Sequence, residues 1–426
     1  MAAETQSEIF VTPPSLAPDT QKPLEHKVRF ALGFLIISLM WGIPFSMGSG
    51  VLLPQVFSGI KGISAEGALG TMNAVSSIFA LVSNIVFGTF SDVSKFKIGK
   101  RTPWIVAGGV IGAVGYFLTA HSTSLVWMVV GWCIVQVGIN CLIAPAVAVL
   151  SDRIPEDVRG TFSALYGAGQ IVGMQAGNFI GSFFLTKLNT GLTIGTCIFL
   201  FSGLVTVIIW PREKSAENNT RATSVGEILK SFVPPTKNCR DFYLALFGRL
   251  AFVIGTFMIS GYQLLILERY IHLSVKDAGI AMQVMSIITM VTTILASVVS
   301  GPLSDYLHRR KFIVAIACVI IALGMLVAWV MPTTTGIYIY ATLAGLGNGC
   351  YMSVDQALNV DVLPNPQEAG KDLGILNLAN TIGQALAPAF TTLFIGITGG
   401  YKGVFPVAIV FLLVGTIFIM MIRRVK

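Results

Sequence analysis

Twelve apolar stretches, each about as long as a membrane is thick, fill almost the whole chain. A hydrocarbon core of about 30 Å requires about 20 apolar residues in a helix. Of the 426 residues, 54% are hydrophobic and only 11% are charged, which is too little charge to cover a soluble protein of this length. The alternating pattern of membrane strands is absent from the sequence. We therefore predict an all-α membrane protein with twelve transmembrane helices.

The predicted spans are bounded by polar residues, and the longest polar interruption lies between spans 6 and 7. The spans cover residues 28–55, 65–92, 103–121, 124–151, 157–186, 190–210, 241–268, 276–303, 311–331, 335–362, 371–396 and 403–422. The polar, proline-containing start predicts a disordered cytoplasmic N-terminus at 1–27. A six-helix bundle at 28–211, a cytoplasmic linker at 212–240 and a second six-helix bundle at 241–426 are predicted to follow.

The two halves carry similar motifs at equivalent places. Residues 88–92 read Gly-Thr-Phe-Ser-Asp at the end of span 2, and residues 301–305 read Gly-Pro-Leu-Ser-Asp at the end of span 8. In a second pair of segments, Asp152 aligns with Asp361 without a gap. Such repetition predicts two pseudo-symmetric bundles around a central site, which is the architecture of transporters with parallel repeats.

The net charge of +8 comes from cations in the loops. An even number of spans places both termini on one side of the membrane. The loops on that side hold 22 of the 28 Lys and Arg residues, and the loops on the other side hold 5. Because cytoplasmic loops are the basic ones, both termini are predicted to be cytoplasmic. Cations placed beside membrane ends favour a membrane protein over a nucleic-acid-binding one, and the compact loops favour a bacterial inner membrane.

The loop between spans 2 and 3 resembles the signature of the major facilitator superfamily. It runs from Gly88 and Asp92 into a basic stretch that ends in Lys100 and Arg101, and a shortened copy ends at residues 309–311. The resemblance covers residues 28–424. It implies a secondary active transporter that works by alternating access, and not an enzyme.

Further details are similar to one branch of that superfamily, the sucrose/proton symporters and the glycoside–cation symporters. These details are the long insertion before residues 99–104 and the segments 354–358 and 370–374. Sodium-coupled members of the branch carry acidic residues deep in helix 2. Here Asp92 lies at the end of that helix, so sodium coupling by that route is disfavoured.

The resemblance also implies a cytoplasmic gate at the ends of spans 2 and 8. A carboxylate at each place would pair with loop cations and separate from them as the two halves rock. The alternative is an ordinary interfacial charge. The predicted gate residues are Asp92, Lys100, Arg101, Asp305, Arg309 and Arg310.

Arg249 and Asp355 are the charged residues embedded most deeply in apolar sequence. Counted from the cytoplasmic ends of spans 7 and 10, both lie at a depth on the order of 10–12 Å, so they could meet. A charge at such a depth is costly unless it is paired or faces water. Three readings stay open: proton coupling through Asp355 with Arg249 as its partner, a static ion pair, and no contact.

Neutral amides and aromatic rings within the spans are candidates for binding a sugar. Sugars require many neutral donors and acceptors and an aromatic ring against their C–H face. Hydrogen bonds between helices are the alternative role for each amide. The predicted substrate-binding residues are Trp41, Gln136, Asn140, Gln170, Gln263, Asn348, Tyr351 and Gln356.

The function that the sequence favours is proton-coupled symport of a sugar, which would be a disaccharide, an oligosaccharide or a glycoside. The alternative is proton-antiport efflux of amphipathic compounds or drugs, which Met282, Met285 and Met290 on span 8 would permit. A transport-inactive sensor on the same fold is a third reading. The chain contains no Gly-Lys-Ser/Thr motif for ATP, so we expect no cofactor and the proton as coupling ion. We expect a monomer whose partners are a small molecule and the lipid bilayer.

Overall fold

The computed structural model of the chain describes residues 26–216, 234–236, 239–307, 309–364 and 369–423. Within these ranges, twelve long helices follow one another. They are α1 (Lys27–Ser58), α2 (Ala65–Val93), α3 (Thr102–His121), α4 (Leu125–Arg153), α5 (Glu156–Ser182), α6 (Leu188–Ile209), α7 (Arg240–Ser260), α8 (Val275–Leu307), α9 (Arg310–Val330), α10 (Thr334–Asp361), α11 (Ala369–Thr398) and α12 (Val404–Met420). A short helix, Gln263–Arg269, continues α7, and α1 widens into a π-helix at Met47–Leu52.

The predicted all-helical membrane fold is confirmed. The ends of the helices lie within four residues of the predicted ends, except that α7 ends at Ser260 and the short helix after it covers the rest of the span predicted to reach residue 268. Ten of the described helices are apolar and long enough to cross a membrane by composition alone, and the more polar α5 and α10 are not among them. Both are rich in glycine and polar residues. Residues 1–25 and most of the predicted linker lie outside the described ranges, so the predicted boundaries there stay predictions.

The two halves of the chain pack their helices in the same pattern. In the first half, α1 packs against α5 and α6, α2 against α4, and α3 against α4 and α6. In the second half, α7 packs against α11 and α12, α8 against α10, and α9 against α10 and α12. Each helix therefore has the same partners as the helix six places later, as expected for a duplicated bundle.

Glycines allow the closest of these helix contacts. A Cβ atom on Gly138 of α4 would lie 2.2 Å from the backbone nitrogen of Gly112 on α3. A Cβ atom on Gly177 of α5 would lie 2.2 Å from the carbonyl oxygen of Ile43 on α1. In lipid, helices associate through close backbone packing and interhelical contacts, and small residues permit both.

The two halves meet along α2 with α11 and along α5 with α8. We call the end of the bundle with the α2–α3 loop the basic end, and the end with the α1–α2 loop the opposite end. At the opposite end, Gly279 of α8 lies against Ser182 and Leu185 of the first half. The two halves of the molecule are therefore in contact at the opposite end.

Candidate functional site

Arg249 of α7 and Asp355 of α10 face each other inside the second half. The guanidinium Nη1 lies 3.4 Å from the carboxylate Oδ2, and the side chains are only 6% and 7% exposed. Asn359 donates a hydrogen bond of 3.0 Å to the same carboxylate oxygen, and Arg249 Nε donates one of 3.0 Å to Asn380 of α11. The contact between Arg249 and Asp355 was left open by the sequence, and the structure brings the two residues together.

An aromatic pair lies beside this ion pair. Tyr351, one turn before Asp355, stacks on Phe252, one turn after Arg249, with 3.5 Å between ring centroids and planes 2° apart. Both rings are buried. They exclude water from one side of the ion pair, which strengthens its electrostatics and makes the loss of either partner costly.

At the equivalent position of the repeat, the described first half has no counterpart to the Asp355 carboxylate. Asp355 lies six residues before Asp361, and the residue six before the aligned Asp152 is Ala146, whose side chain is fully buried. At this position of the repeat, the second half therefore carries a carboxylate where the first half carries a methyl group. An intramembrane carboxylate of this kind is a candidate for proton binding.

A second ionic cluster lies at the basic end of the first half. Arg101 is 3% exposed and pairs with Asp92 at the end of α2. Its Nε also lies 2.8 Å from Asp152 Oδ2 on α4, and Lys100 Nζ lies 3.0 Å from the same oxygen. The structure thus brings three predicted gate residues together with Asp152, and all of these pairs lie within the first half.

Glu213, just after α6, completes this cluster and was missed by the sequence analysis. Its carboxylate accepts 3.0 Å hydrogen bonds from the backbone N–H groups of Arg101 and Thr102 at the start of α3. A carboxylate is favourable there because a helix N-terminus carries free N–H groups and a partial positive charge. The neighbouring Gly99 has φ +107°, and a Cβ atom on it would lie 2.2 Å from the Glu213 carboxylate, so this turn requires glycine.

The second half carries a more exposed copy of the cluster. Arg310 at the start of α9 forms two hydrogen bonds, of 2.9 and 2.8 Å, with Asp361 at the end of α10. These side chains are 31% and 33% exposed. Arg309 lies over the ring of Phe312 at 5.6 Å. The side chain of Asp305 lies outside the described part of the structure, so its gate role stays a prediction.

At the opposite end, an ion pair joins the two halves. Glu66 at the start of α2 is 4% exposed and pairs with Arg269, which follows α7. Tyr401 donates a hydrogen bond of 3.3 Å to Glu66, and Ser64 donates one of 2.9 Å. The sequence analysis missed this cluster because its members lie in separate loops with no shared motif.

Two of the predicted substrate-binding amides already form hydrogen bonds with other groups of the protein. Asn140 donates 2.9 Å to the carbonyl oxygen of Gln136 in its own helix and accepts 3.0 Å from Asn84. Asn348 donates 2.9 Å to the carbonyl oxygen of Ala344. The bond between Asn84 and Asn140 joins two helices, which is the alternative to substrate binding, whereas the bonds donated by Asn140 and Asn348 lie within their own helices.

The other predicted substrate residues are spread through the bundle. Gln263 lies at the break after α7, beside Tyr340. Trp41 is buried in α1, Gln170 is half-buried in α5, and Gln356 is exposed on α10 one residue after Asp355. Met282 and Met285, considered for the efflux alternative, are buried in the packing of α8.

The chain belongs to the Major Facilitator Superfamily, whose family model matches residues 30–282 and 245–426. It is therefore a multi-pass membrane protein of a family of secondary transporters, not of enzymes.

Two curated relatives are transporters of different kinds. The fujikurins efflux protein of Gibberella fujikuroi is 24% identical over 305 residues, which is 70% of this chain. The chain spans 61% of the length of that relative. The putative tartrate transporter of Agrobacterium vitis is 34% identical over 92 residues, covering 22% of this chain and 19% of that protein.

Solved structures show the same fold at low identity. A bacterial homolog of the human lysosomal transporter Spinster, inward-facing and unoccupied, matches with a TM-score of 0.73 and 14% identity over 94% of this chain and 97% of that one. The nucleoside transporter NupG matches with a TM-score of 0.74 and 16% identity over 92% and 99%. A D-xylose–proton symporter matches with 0.66 and 16% over 93% and 97%.

Proposed function

We propose that this transporter exports a small amphipathic organic compound in exchange for protons, with Asp355 as the proton carrier. The observation that carries the proposal is the Asp355 carboxylate, 7% exposed within a membrane helix and held by Arg249 and Asn359. An ionisable group is retained at such a place at an energetic cost, and function is the usual reason.

The geometry suggests how a proton would act there. The unprotonated carboxylate pairs with Arg249 and fixes α10 against α7. A proton on Asp355 removes the negative charge, which weakens this attraction and leaves Arg249 hydrogen-bonded to Asn380 on α11. Protonation would therefore change the contacts among three helices of the second half, and a substrate in the central cavity would respond to that change.

Two observations support export as the direction of transport. Since Lys and Arg mark cytoplasmic loops, we place the protein in the cell membrane with its basic end and both termini facing the cytoplasm. The pair of Glu66 and Arg269 would then hold the two halves together at the outer end, as in a state that takes a compound from the cytoplasm. The relative named as an efflux protein matches 70% of this chain, which favours export.

Proton-coupled symport of a sugar is the second candidate. Gln356 is an exposed amide one residue after Asp355, and it could bind a polyol close to the coupling pair. Against it, Asn140 and Asn348 each donate a side-chain hydrogen bond within their own helix. The similarity to the sucrose and glycoside symporter branch finds no counterpart in the two relatives described above.

Purified protein in acid-interior proteoliposomes tests the proposal. We expect the wild type to accumulate an amphipathic dye when a pH gradient is present. The Asp355→Asn variant should not accumulate dye in response to the gradient, but it should still exchange dye between the two sides of the membrane. Asp277→Asn, an exposed carboxylate on α8, is the matched control and should behave as the wild type. Wild-type accumulation by Asp355→Asn would refute its role. External alkalinisation on adding a disaccharide, without dye movement, would favour the sugar symporter instead.

A further inference from the structure

A cavity of about 430 Å³ lies on the first half at the basic end, apart from the central site. Its wall includes three guanidinium groups, those of Arg29 in the first turn of α1, Arg153 at the end of α4, and Arg212 after α6. No carboxylate among the described residues forms an ion pair with any of the three. The transport mechanism proposed above does not use them.

Two of these guanidinium groups are held in place by carbonyl groups at the end of α6. Arg29 donates to the carbonyl oxygens of Ile208, Ile209 and Trp210 at 2.7–3.1 Å. Arg153 donates to the carbonyl oxygen of Pro211 at 2.9 Å. Each keeps further N–H groups for a ligand, because a guanidinium has five.

The charged groups around the cavity determine whether it suits an anion or a cation. Glu213 also borders the cavity, but its carboxylate already accepts hydrogen bonds from the N–H groups of Arg101 and Thr102. Arg212 is exposed. The cavity therefore carries an excess of positive charge, which suits an anion with several oxygen atoms.

Two rows of exposed apolar side chains, one on α6 and one on α3, lie on the surface of the bundle near this cavity, and we call them the apolar tracks. On α6, Leu204 and Ile208 are 44% and 66% exposed, and on the adjacent α3, Val110 and Val114 are 43% and 58% exposed. In a membrane protein these side chains face acyl chains. Ile208, at the end of the row on α6, also lines the basic cavity.

We propose that this cavity binds the phosphate of an anionic phospholipid, with its acyl chains along the apolar tracks of α3 and α6. Basic pockets at the cytoplasmic ends of membrane helices suit such headgroups. A free phosphate could satisfy the guanidinium groups, but it would leave the apolar tracks without a role. The proposal is independent of which compound the protein transports.

Thermal unfolding of the full chain in mixed micelles tests this site. Dioleoylphosphatidylglycerol should raise the melting temperature in a saturable way, and dioleoylphosphatidylcholine should not. Because a surface cation contributes about a fivefold factor to binding an anionic membrane, Arg212→Gln should require about five times more phosphatidylglycerol for half of the shift. Arg212 is exposed, so this variant should fold even if Arg29→Gln, which loses three bonds to α6, does not.

Lys95→Gln, an exposed cation of the same basic end that does not line the cavity, is the control. It should give the wild-type titration. An unchanged titration for Arg212→Gln, or an equal loss for Lys95→Gln, would overturn the proposal. A matching shift with inorganic phosphate alone, at the same concentration, would assign the site to a soluble anion and reject the lipid.

Discussion

The two ends of the bundle use ion pairs differently. At the basic end, the described pairs of Arg101 and of Arg310 each lie within one half of the molecule. At the opposite end, Glu66 of the first half pairs with Arg269 of the second. Pairs within a half persist when the halves move as rigid bodies, whereas a pair between the halves must break when that end opens. The first kind stabilises the fold, and the second kind selects a conformation.

This difference changes the interpretation of the predicted gate. The carboxylate of Asp92 was expected to pair with loop cations and to separate from them as the halves rock. In the structure Arg101 joins Asp92 to Asp152, so the contact ties α2 to α4 inside the first half. A gate function for this cluster stays a prediction. Among the described residues, the ionic cluster at Glu66 spans both halves.

Arg101→Ala should have the largest effect on stability. It leaves Asp92 and Asp152 without their guanidinium partner at sites 24% and 21% exposed. Breaking a buried pair costs about 3–5 kcal/mol, and the partial exposure of both carboxylates reduces our expectation to about 2 kcal/mol. The melting temperature of the purified protein measures this loss. Arg101→Lys, which keeps the charge but not the fork of donors, should fall between the alanine variant and the wild type.

The rigid-body comparison fails if Arg101→Ala unfolds at the wild-type temperature. It also fails if the variant keeps its stability and instead changes the distance between the two halves, since that result would make Arg101 part of a moving gate.

Glu66→Gln should shift the conformation more than the stability. The variant removes the charge that binds Arg269 and keeps the shape of the side chain. Arg269 is 40% exposed, so we expect a loss of about 1 kcal/mol, which is about a fivefold change in the population open at that end. Spin labels at Lys61 and Lys402, two exposed positions in different halves, would measure the distance between the halves by double electron–electron resonance. We expect that distance to increase in the variant.

Asp277→Asn is the matched control for Glu66→Gln, because Asp277 lies at the same end but bonds to Ser274 within its own half. It should leave the distance distribution unchanged. Equal distributions for Glu66→Gln and the wild type would mean that apolar contacts alone close this end.

The sequence predicts those features that depend on short-range pattern. Apolar length predicts the helices. The alignment of Asp152 with Asp361 predicts the repeat, and in the structure these two aspartates form equivalent pairs with Arg101 and Arg310. The sequence also indicates that Arg249 and Asp355 lie at similar depths, because each is embedded in an apolar stretch, but it leaves their contact open.

The contacts between distant loops could not be predicted in this way. Glu66 and Arg269 are 203 residues apart, and each reads alone as an ordinary loop charge. Glu213 lies 112 residues from Arg101 and caps a helix to which it is not joined in sequence. The amides of Asn140 and Asn348 were read as substrate ligands because a sequence does not show which donors are already used within a helix.

Asp361→Asn should have the smallest effect, and its comparison with Asp152→Asn isolates the role of burial. The two aspartates occupy equivalent places in the repeat and each pairs with an arginine. Asp361 and Arg310 are about one-third exposed, so water and salt screen their attraction and we expect a loss below about 1 kcal/mol. Asp152, which pairs with the buried Arg101 and with Lys100, should lose more. Melting temperatures at low and high salt measure both variants, and only the small Asp361→Asn loss should vanish at high salt. Equal losses at both positions would show that position in the repeat, and not exposure to water, determines the strength of these pairs.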